Sequence, residues 1–343
     1  MRTAPGRTIW WDAGAVAVID QRRLPGELVV DHWTSLDDAV SGIADMQVRG
    51  APLIGVAAAH GVALAMADDP SDESLVAAGD ALLETRPTAV NLRWAVELVV
   101  EELRPVGASE RADRARRIAT RLADGDAAAC RAIGEAGAGL LESVAAAGDR
   151  PVQVLTHCNA GWLACVEWGT ATAPVYVAHE RGIPVHVWVS ETRPRNQGAS
   201  LTAWELAAAG VPHTLVVDSA AGHLMASGQV DLVIVGADRI AANGDVANKI
   251  GTSLKAYAAK EHGVPFHVAA PWSTFDWSCP DGSSIPIEER SPEEVLYIGA
   301  ERIAPAGTPA RNWGFDVTPA RFVTSFLTPD GAIDPTDMDR WRQ

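Results

Sequence analysis

Five short runs of apolar, largely β-branched residues in the second half of the chain constrain its fold more than any other feature. They cover residues 152–155, 185–189, 214–217, 232–235 and 266–269. None shows a clear alternation of apolar and polar residues, which indicates strands that are covered on both faces. Stretches with helical spacing, over 172–181, 201–209 and 248–262, separate these runs. Repeated strand–helix units of this kind predict a parallel sheet with helices on both sides.

The first half of the chain has mainly helical spacing of its apolar residues. Residues 8–11 and 15–19 predict a small hairpin, and the following segment predicts helices over 53–66, 72–84, 88–103, 111–123 and 127–147. Residues 148–151 read as a boundary. We therefore predict an α/β chain with a mainly helical N-terminal domain with short N-terminal strands (1–148) and a Rossmann-like parallel-sheet domain (149–343). No G-x-G-x-x-G follows the first predicted strand of that sheet, so a dinucleotide site is not supported.

Charge and cysteine content exclude several classes of partner. The net charge of −16 argues against nucleic-acid or anionic-membrane binding by a general basic surface. No apolar run approaches the roughly 18 residues of a membrane span, so we expect no membrane segment. The four cysteines show neither a C-x-x-C pair nor zinc-like spacing. They predict free thiols in a reducing cytoplasm and no bound metal.

Polar residues collect where the predicted strands end. The first run leads into residues 156–161, the second into 190–198, the third into Asp218 and Ser219, and the fourth into 236–239. In an open parallel sheet, ligands bind beyond the carboxyl ends of the strands. Four polar ends together therefore indicate an active site at this edge.

Cys158 is the sharpest candidate for a nucleophile or an acid–base group. The alternative is that it is a small buried apolar residue, as most free cysteines are. We predict that role for Cys130, Cys165 and Cys279. Its place at a strand end before an Asn-Ala-Gly turn favours a functional role. His157 adds little, because adjacent residues on a strand point to opposite faces.

Two aspartates at strand ends each have two interpretations. Asp238 follows a fully apolar strand, so desolvation is expected to raise its pKa and suit it to proton transfer. It is equally well placed to cap a following helix. We assign Asp218 to capping, because Ser219 and a predicted helix follow it directly.

Three loops have the composition of anion sites. Arg49 and Gly50 precede a predicted helix, an arrangement that suits a phosphate. In the second loop, 85–91, Thr88 is a candidate helix cap and Arg86 a candidate outward-pointing cation. The third loop, 244–252, is polar, flanked by glycines and fits no Walker pattern. For each arginine, the alternative is a solvated or ion-paired surface residue.

Taken together, these motifs closely resemble those of the 5-methylthioribose-1-phosphate isomerase family, which shares a superfamily with the regulatory subunits of translation-initiation exchange factors. The resemblance runs in order from about residue 48 to 319. It rests on Arg-Gly-Ala-Pro at 49–52, Thr-Arg-Pro-Thr-Ala-Val-Asn-Leu at 85–92, Thr-His-Cys-Asn-Ala-Gly at 156–161, Glu-Thr-Arg-Pro at 191–194, Gln-Gly-Ala at 197–199, Leu-Thr-Ala-Trp-Glu-Leu at 201–206, the block 235–252 and Ile-Pro-Ile-Glu-Glu-Arg at 285–290.

The resemblance implies isomerisation of an aldose 1-phosphate to a ketose 1-phosphate in methionine salvage, without metal, nucleotide or other cofactor. It places the catalytic pair at Cys158 and Asp238. It also implies a cytoplasmic homodimer whose partner is a small-molecule sugar phosphate. The substrate-binding positions of the family fall on Arg49, Gly50, Ala51, Arg86, Gln197, Asn248 and Lys249.

One departure from the family pattern bears on the substrate. Trp162 stands where a small residue is usual, either as a change in packing or as a change in the pocket near C5 of the sugar. The second interpretation admits another 5-modified ribose 1-phosphate, such as 5-deoxyribose 1-phosphate. Ribose 1,5-bisphosphate would need further cations near C5. A non-catalytic regulatory subunit is the other alternative, but such relatives lack the Cys–Asp pair.

Overall fold

The structure is a computed structural model that describes residues 6–341 of the 343-residue chain. Residues 1–5 and 342–343, which the two predicted domains include, lie outside the described part. Three antiparallel strands come first: β1 (Ile9–Asp12), β2 (Ala15–Ile19) and β3 (Val30–Trp33). Ala13 and Gly14, both with positive φ, join β1 to β2 in a tight two-residue turn. The predicted hairpin is confirmed, and β3 extends it.

Five helices follow these strands. They are α1 (Leu36–Ala44), α2 (Ala51–Asp68), α3 (Asp72–Thr85), α4 (Val90–Leu103) and α5 (Ala108–Ala146). Helix α2 lies at the centre of this layer, packed against the other four, and its residues from Leu53 to Met66 are all buried. By length and composition α2 is the one described helix that is long and apolar enough to cross a membrane. Because 78% of its residues are buried inside the protein, it has the surroundings of a core helix.

Two helical predictions are wrong in detail. The segments 111–123 and 127–147 form one helix of 39 residues, α5, rather than two. Gly125 suggested a break, but it lies on the exposed face while the buried residues Ala123 and Cys130 continue the apolar stripe past it. A single exposed glycine costs a helix only about 1 kcal/mol. Helix α1 was not predicted, although Ser35 and Asp38 form a capping box at its start.

The second half of the chain carries the remaining elements. In chain order they are β4 (Val152–His157), α6 (Ala173–Glu180), β5 (Val185–Ser190), α7 (Ala203–Ala209), β6 (His213–Val216), α8 (Ala220–Ala226), β7 (Leu232–Val235), β8 (Arg239–Ala241), β9 (Val246–Lys249), α9 (Thr252–Glu261), β10 (Phe266–Ala269), β11 (Phe275–Asp276), α10 (Glu293–Leu296), β12 (Tyr297–Ile298), β13 (Glu301–Arg302), β14 (Phe315–Thr318), β15 (Ser325–Thr328) and β16 (Gly331–Ile333).

Seven of these strands form the main sheet, in the order β16-β15-β10-β7-β4-β5-β6. All neighbours in it are parallel except the terminal pair of β15 and β16. Helices α5 and α6 contribute to the core on one face, and α8 and α9 to the core on the other. The predicted Rossmann-like sheet is confirmed. The strand order reverses between β4 and β7, which is where ligands bind in doubly wound sheets.

A smaller sheet lies beside this reversal point. Its order is β11-β8-β9-β14, and β9 pairs with β8 and β14 in antiparallel fashion. The prediction of a helix from residue 248 is wrong, because Asn248 and Lys249 end strand β9. Helix α9 begins only after Gly251, whose φ of 97° turns the chain. The division of the chain between residues 148 and 149 stays a prediction.

Candidate functional site

One cavity lies between the carboxyl ends of β4 and β7, the start of α2 and the end of β9. All nine residues that the sequence singled out as site residues line it. They are Arg49, Gly50, Ala51, Arg86, Cys158, Gln197, Asp238, Asn248 and Lys249. These residues come from both halves of the chain. Their roles stay a prediction, but the fold brings them together.

Cys158 directly follows β4 and has a φ of 63°, which is strained for a residue other than glycine. Two threonines hold its backbone: its N–H donates to Thr192 Oγ1 at 2.8 Å, and its carbonyl accepts from Thr202 Oγ1 at 2.7 Å. Burial raises the pKa of the thiol, while the positive charges of Arg49 and Lys249 oppose that shift. The resting group is therefore a neutral S–H that nearby cations favour ionising.

Asp238 ends the loop after β7, and its backbone N–H donates to the carbonyl of Ala247 at 2.9 Å. Burial raises the pKa of its carboxyl group, against the effect of the nearby cations Lys249 and Arg86. The expected rise in the pKa of Asp238 is thus present. The capping alternative is wrong, because strand β8 rather than a helix follows Asp238. A carboxyl group that stays protonated to higher pH is suited to donating a proton.

Arg49, Arg86 and Lys249 bring positive charge into the cavity. The guanidinium of Arg86 lies 3.5 Å from Glu288, so its side chain turns inward rather than outward, and burial lowers its pKa. Lys249 Nζ donates to the carbonyl of Gly314 at 2.8 Å, and burial also lowers its pKa. Desolvated cations bind anions more strongly than solvated ones, since their charge is less screened.

The start of α2 adds backbone donors to these cations. Gly50 has a φ of 104°, and a Cβ there would lie 2.5 Å from the Cα of Ala164. Only glycine fits this approach. The first backbone N–H groups of α2 have no partner within the helix and attract anions together with the helix dipole. Thr88, by contrast, does not cap α4, which begins after Ala89 without a side-chain cap.

Gln197 and Asn248 are the neutral polar residues of the predicted set. Both are nearly fully buried, and Gln197 Oε1 has no hydrogen-bond partner among the described residues. Asn248 Nδ2 donates to Thr252 Oγ1 at 3.1 Å. An unpaired buried amide oxygen beside a cavity is a ready acceptor for a hydroxyl group.

Asp218 does not cap α8, so that prediction is wrong. Its carboxylate accepts hydrogen bonds from Ser190 Oγ and from the backbone N–H groups of Thr192 and Arg193. These bonds lower its pKa and overcome the effect of burial. Asp218 therefore fixes the loop after β5 that ends at Gln197.

Sequence reasoning did not assign several residues that shape the cavity. His157 is neutral, because burial lowers its pKa to about 3, and its Nε2 lies 2.8 Å from the carbonyl of Ile250. Arg290 borders the cavity and pairs with Glu288 and Glu294. Asn159 holds Arg49 across 110 residues of sequence. Local sequence spacing does not predict a contact between Arg49 and Asn159. The only sequence feature that points to Asn159 is its place in the turn after β4.

Trp162 is not among the residues lining the cavity. It packs against an apolar cluster that includes Leu163 and Leu201, with its ring centroid 6.0 Å from that of Trp204. This placement favours the packing interpretation of Trp162 over a direct effect on the pocket.

A separate group of potential metal ligands lies near the cavity wall. Ligand atoms of Asp126, Cys130 and Cys165 lie within 4.8 Å of one another, and this is the one such group among the described residues. The cysteine spacing did not reveal it, because α5 and the loop after β4 bring the residues together. Asp126 accepts a hydrogen bond from the N–H of Val166 at 2.7 Å. The expectation of no bound metal stays a prediction.

Comparison with known proteins gives a consistent result. The initiation factor 2 subunit family matches residues 47–335. A methylthioribose-1-phosphate isomerase of Rhizobium meliloti (strain 1021) is 55% identical, over 96% of this chain and 94% of that protein. Its counterpart in Rhodospirillum rubrum is 52% identical, over 96% and 90%.

Two solved structures extend this comparison. That of 5-methylthioribose 1-phosphate isomerase from Pyrococcus horikoshii OT3 is 41% identical with a TM-score of 0.89, covering 99% of this chain and 96% of that one. A structure described as translation initiation factor eIF-2B, subunit delta, from A. fulgidus is 41% identical with a TM-score of 0.84, covering 97% of each chain.

Proposed function

This chain belongs to the initiation factor 2 subunit family, and from that membership and the geometry of its cavity we propose that it isomerises 5-methylthioribose 1-phosphate to 5-methylthioribulose 1-phosphate in methionine salvage. The observation that carries the proposal is the single cavity in which Cys158 and Asp238 lie among Arg49, Arg86 and Lys249. Relatives more than 50% identical over nearly their whole length carry the name of this isomerase.

The phosphate on C1 dictates the chemistry. It blocks the anomeric oxygen, so the ring cannot open by ordinary hemiacetal chemistry. A proton donated to the ring oxygen lets the bond between C1 and that oxygen break. The hydrogen on C2 then moves to C1 and the C2 hydroxyl loses its proton, which leaves a ketone at C2. Oxidation at C2 balances reduction at C1, so the reaction needs no external oxidant.

We assign the acid–base steps to Asp238. Its raised pKa keeps a proton available for the ring oxygen, and the resulting carboxylate takes the proton from the C2 hydroxyl. Cys158 serves the hydrogen transfer in one of two ways. In an enediol route its thiolate takes the proton from C2 and returns it to C1; in a direct hydride shift its neutral side chain shields the reacting carbons from water. Deuterium on C2 separates the two routes: a hydride shift retains it at C1, whereas an enediol route exchanges it with solvent.

The phosphate is bound by the three cations and the start of α2. Arg49, Arg86 and Lys249 supply charge, and Gly50 and Ala51 line the cavity at the start of α2, where backbone N–H groups are free to donate to an anion. Removal of one charged hydrogen bond is expected to cost about 1.5–3 kcal/mol of binding. Gln197 and Asn248 complete the set as partners of the sugar hydroxyls.

A second cavity adjoins the first and supports an apolar group at C5. The two share Gly50, Ala51, Arg86, Asp238 and Phe315. The rest of the second cavity is mainly apolar, with Ile54, Ala89, Ala247, Ile285, Pro286 and Ile287 in its wall. Its polar members are Thr88 and Arg239, and the charge of Arg239 is already paired with Asp276 at 3.4 Å. Transfer of a methylthio group from water to such a wall is favourable. Transfer of a second phosphate is unfavourable, because its charge would lose its hydration without a free cation to replace it. Ribose 1,5-bisphosphate is therefore the less favoured substrate.

A phosphorus NMR time course with three substrates tests the proposal. We expect fast conversion of 5-methylthioribose 1-phosphate, equal or slower conversion of 5-deoxyribose 1-phosphate, and little conversion of ribose 1,5-bisphosphate. Conversion of the deoxy sugar alone would keep the mechanism and move the protein to another salvage route. No conversion of any of the three would contradict the proposal.

The likeness to the A. fulgidus initiation-factor structure raises a second candidate, a non-catalytic regulatory subunit. Such a subunit has no need of a thiol and a carboxyl group with raised pKa values in one cavity. The same NMR experiment separates the two functions, because a regulatory subunit turns over none of the substrates.

We also propose a cytoplasmic homodimer. Leu215 and Val217 lie on or beside β6, an outer strand of the main sheet, and they are 48% and 58% exposed. Leu254 and Tyr257 on α9 are 70% and 41% exposed. Exposed apolar side chains such as these are candidates for contact surfaces between subunits. The four free cysteines support a reducing compartment, and the net charge of −16 argues against a nucleic-acid partner.

A further inference from the structure

Glu205 is a fully buried carboxylate close to the cavity, and the mechanism above does not use it. It lies in the first turn of α7 with none of its surface exposed. A Cβ on Gly161 would lie 1.8 Å from Glu205 Oε2, so the carboxylate packs directly against the backbone of the loop after β4. Burying a charge this deeply costs several kcal/mol unless hydrogen bonds replace the lost water.

Four donors replace that water. Oε1 accepts from Asn159 Nδ2 at 3.0 Å and from the N–H of Leu163 at 2.9 Å. Oε2 accepts from the N–H of Trp162 and from the hydroxyl of Tyr176, both at 3.0 Å. Three of the four partners are N–H groups, which can only donate, so both oxygens of Glu205 must accept. A carboxylate meets this requirement and an amide does not. Burial raises the pKa of Glu205 to about 7, against the effect of these hydrogen bonds and of the nearby Arg49, so the carboxylate form prevails above pH 7.

Asn159 connects Glu205 to the cavity. Its Nδ2 donates to Glu205 and to Thr202 Oγ1, the latter at 3.1 Å. Its Oδ1 accepts from Arg49 at 2.7 Å, and its backbone carbonyl accepts from the other terminal nitrogen of Arg49 at 2.7 Å. Turning the amide over would set its N–H groups against the guanidinium and its oxygen against the carboxylate. Glu205 thus fixes the orientation in which the Asn159 side chain accepts the hydrogen bond from Arg49.

This arrangement leaves the charge of Arg49 free. Among the described residues no carboxylate lies within ion-pair distance of Arg49. Its guanidinium donates to two neutral oxygens of Asn159, and the Glu205 carboxyl group lies on the far side of Asn159. A direct ion pair would compete with an incoming phosphate. Neutral acceptors aim the guanidinium without neutralising it, which keeps it available for a charge-assisted bond to the substrate.

We propose that Glu205 is a positioning residue for phosphate binding, acting through Asn159 on Arg49. The inference rests on the proposed function for the identity of the substrate, but the arrangement predicts binding of any phosphate at this site. Inorganic phosphate is therefore the probe. Its binding is measured by isothermal titration with the full chain, and the KM and kcat for 5-methylthioribose 1-phosphate are measured in parallel.

Glu205→Gln is the first variant, and Glu261→Gln at the exposed end of α9 is its matched control. We expect Glu205→Gln to weaken phosphate binding and raise KM about tenfold, with kcat changed less than about threefold, because phosphate contacts serve substrate and transition state alike. The control keeps wild-type values. An unchanged phosphate affinity in folded Glu205→Gln would overturn the proposal.

A double-mutant cycle separates positioning from general structural damage. In an Arg49→Met background, Glu205→Gln should change KM and phosphate affinity less than about twofold, since its target is already absent. Equal effects in both backgrounds would show that Glu205 acts independently of Arg49 and would refute the relay. If Glu205→Gln does not fold, Asn159→Ala takes its place in the same cycle with the same expectations.

Two outcomes separate the proposed function from the positioning role. If Glu205→Gln weakens phosphate binding as expected in the cycle but the wild-type protein does not convert 5-methylthioribose 1-phosphate, the proposed function is wrong and the positioning role stands. If it converts the sugar and the cycle is additive, the positioning role is wrong and the proposed function stands.

Discussion

At the scale of single residues, the cavity places two weak acids, Cys158 and Asp238, close to several cations. Burial raises the pKa values of Cys158 and Asp238, and the positive charge of Lys249 and Arg49 opposes both shifts. The reverse also holds, since Cys158 and Asp238 counteract the burial that lowers the pKa of Lys249. A negatively charged substrate that pairs with the cations is therefore expected to raise the pKa values of both acids further, which keeps Asp238 protonated for the first step.

Replacement of the thiol tests the role of Cys158. Cys158→Ser preserves the size of the side chain but holds its proton far more firmly, so we expect kcat to fall by about 10²–10⁴-fold. Cys279→Ser, at a buried cysteine that does not line the cavity, is the matched control and should keep near-normal turnover. Steady-state kinetics check both. Near-normal turnover in Cys158→Ser would remove the thiol from the mechanism.

At the scale of elements, the cavity depends on how α2 and α5 meet the loop after β4. Gly50 at the start of α2 touches Ala164 of that loop, and Asp126 on α5 holds Val166 two residues further on. The helical layer therefore sets the distance between the phosphate-binding backbone and the thiol. Changes at these contacts are expected to affect binding before they affect chemistry.

Gly50→Ala tests the first contact. The new Cβ meets Ala164 at a φ of 104°, so the backbone must shift at a cost of about 1–3 kcal/mol. We expect a lower melting temperature and a raised KM for the sugar phosphate. Gly125→Ala is the control, because Gly125 is exposed in the middle of α5 with no neighbour for a new methyl group. That substitution should stabilise the protein. A wild-type KM in Gly50→Ala would contradict the close approach of the backbone to the phosphate.

Asp126→Asn tests the second contact through pH. Burial raises the pKa of Asp126 to about 7, so the folded protein binds a proton there that the unfolded chain releases near pH 4. Stability from this group is present at low pH and lost as pH rises toward 7. We expect the free energy of unfolding of Asp126→Asn, relative to wild type, to rise by about 2 kcal/mol between pH 5 and pH 8. Urea unfolding at the two pH values measures it, and a constant difference would show that the carboxyl group titrates normally.

The same elements show what the sequence can and cannot reveal. The strands β4, β5, β7 and β10 are predictable because burial on both faces leaves largely apolar runs, which contain only the single polar residues Gln153, His186 and His267 within the predicted ranges. Strand β9 is not, since its polar end, Asn248 and Lys249, faces a cavity that local sequence does not show. The contact between Arg49 and Asn159 depends on the packing of α2 against the sheet domain. The nine candidate site residues were predicted from family motifs, and they line one cavity. The hydrogen bonds that hold them were not predicted.

At the scale of the whole molecule, exposed apolar residues predict the assembly. Leu254→Glu places a charge on a side chain that is 70% exposed, so folding should be unaffected while a dimer through α9 is disrupted. Val76→Glu, at a 51% exposed position on α3, is the matched control. Light scattering should report a dimer for wild type and Val76→Glu and a monomer for Leu254→Glu. A dimer in all three would place the interface elsewhere.

The proposed function requires that the cavity lined by Cys158 and Asp238 carries out the isomerisation. The most direct test is a phosphorus NMR time course of 5-methylthioribose 1-phosphate with wild-type protein and with Asp238→Asn at equal concentration. We expect the ketose 1-phosphate signal to grow to equilibrium with wild type. With Asp238→Asn, whose amide matches the carboxyl group in size but neither gives up nor takes a proton at neutral pH, we expect no growth over the same period. Equal rates for the two proteins would contradict the account.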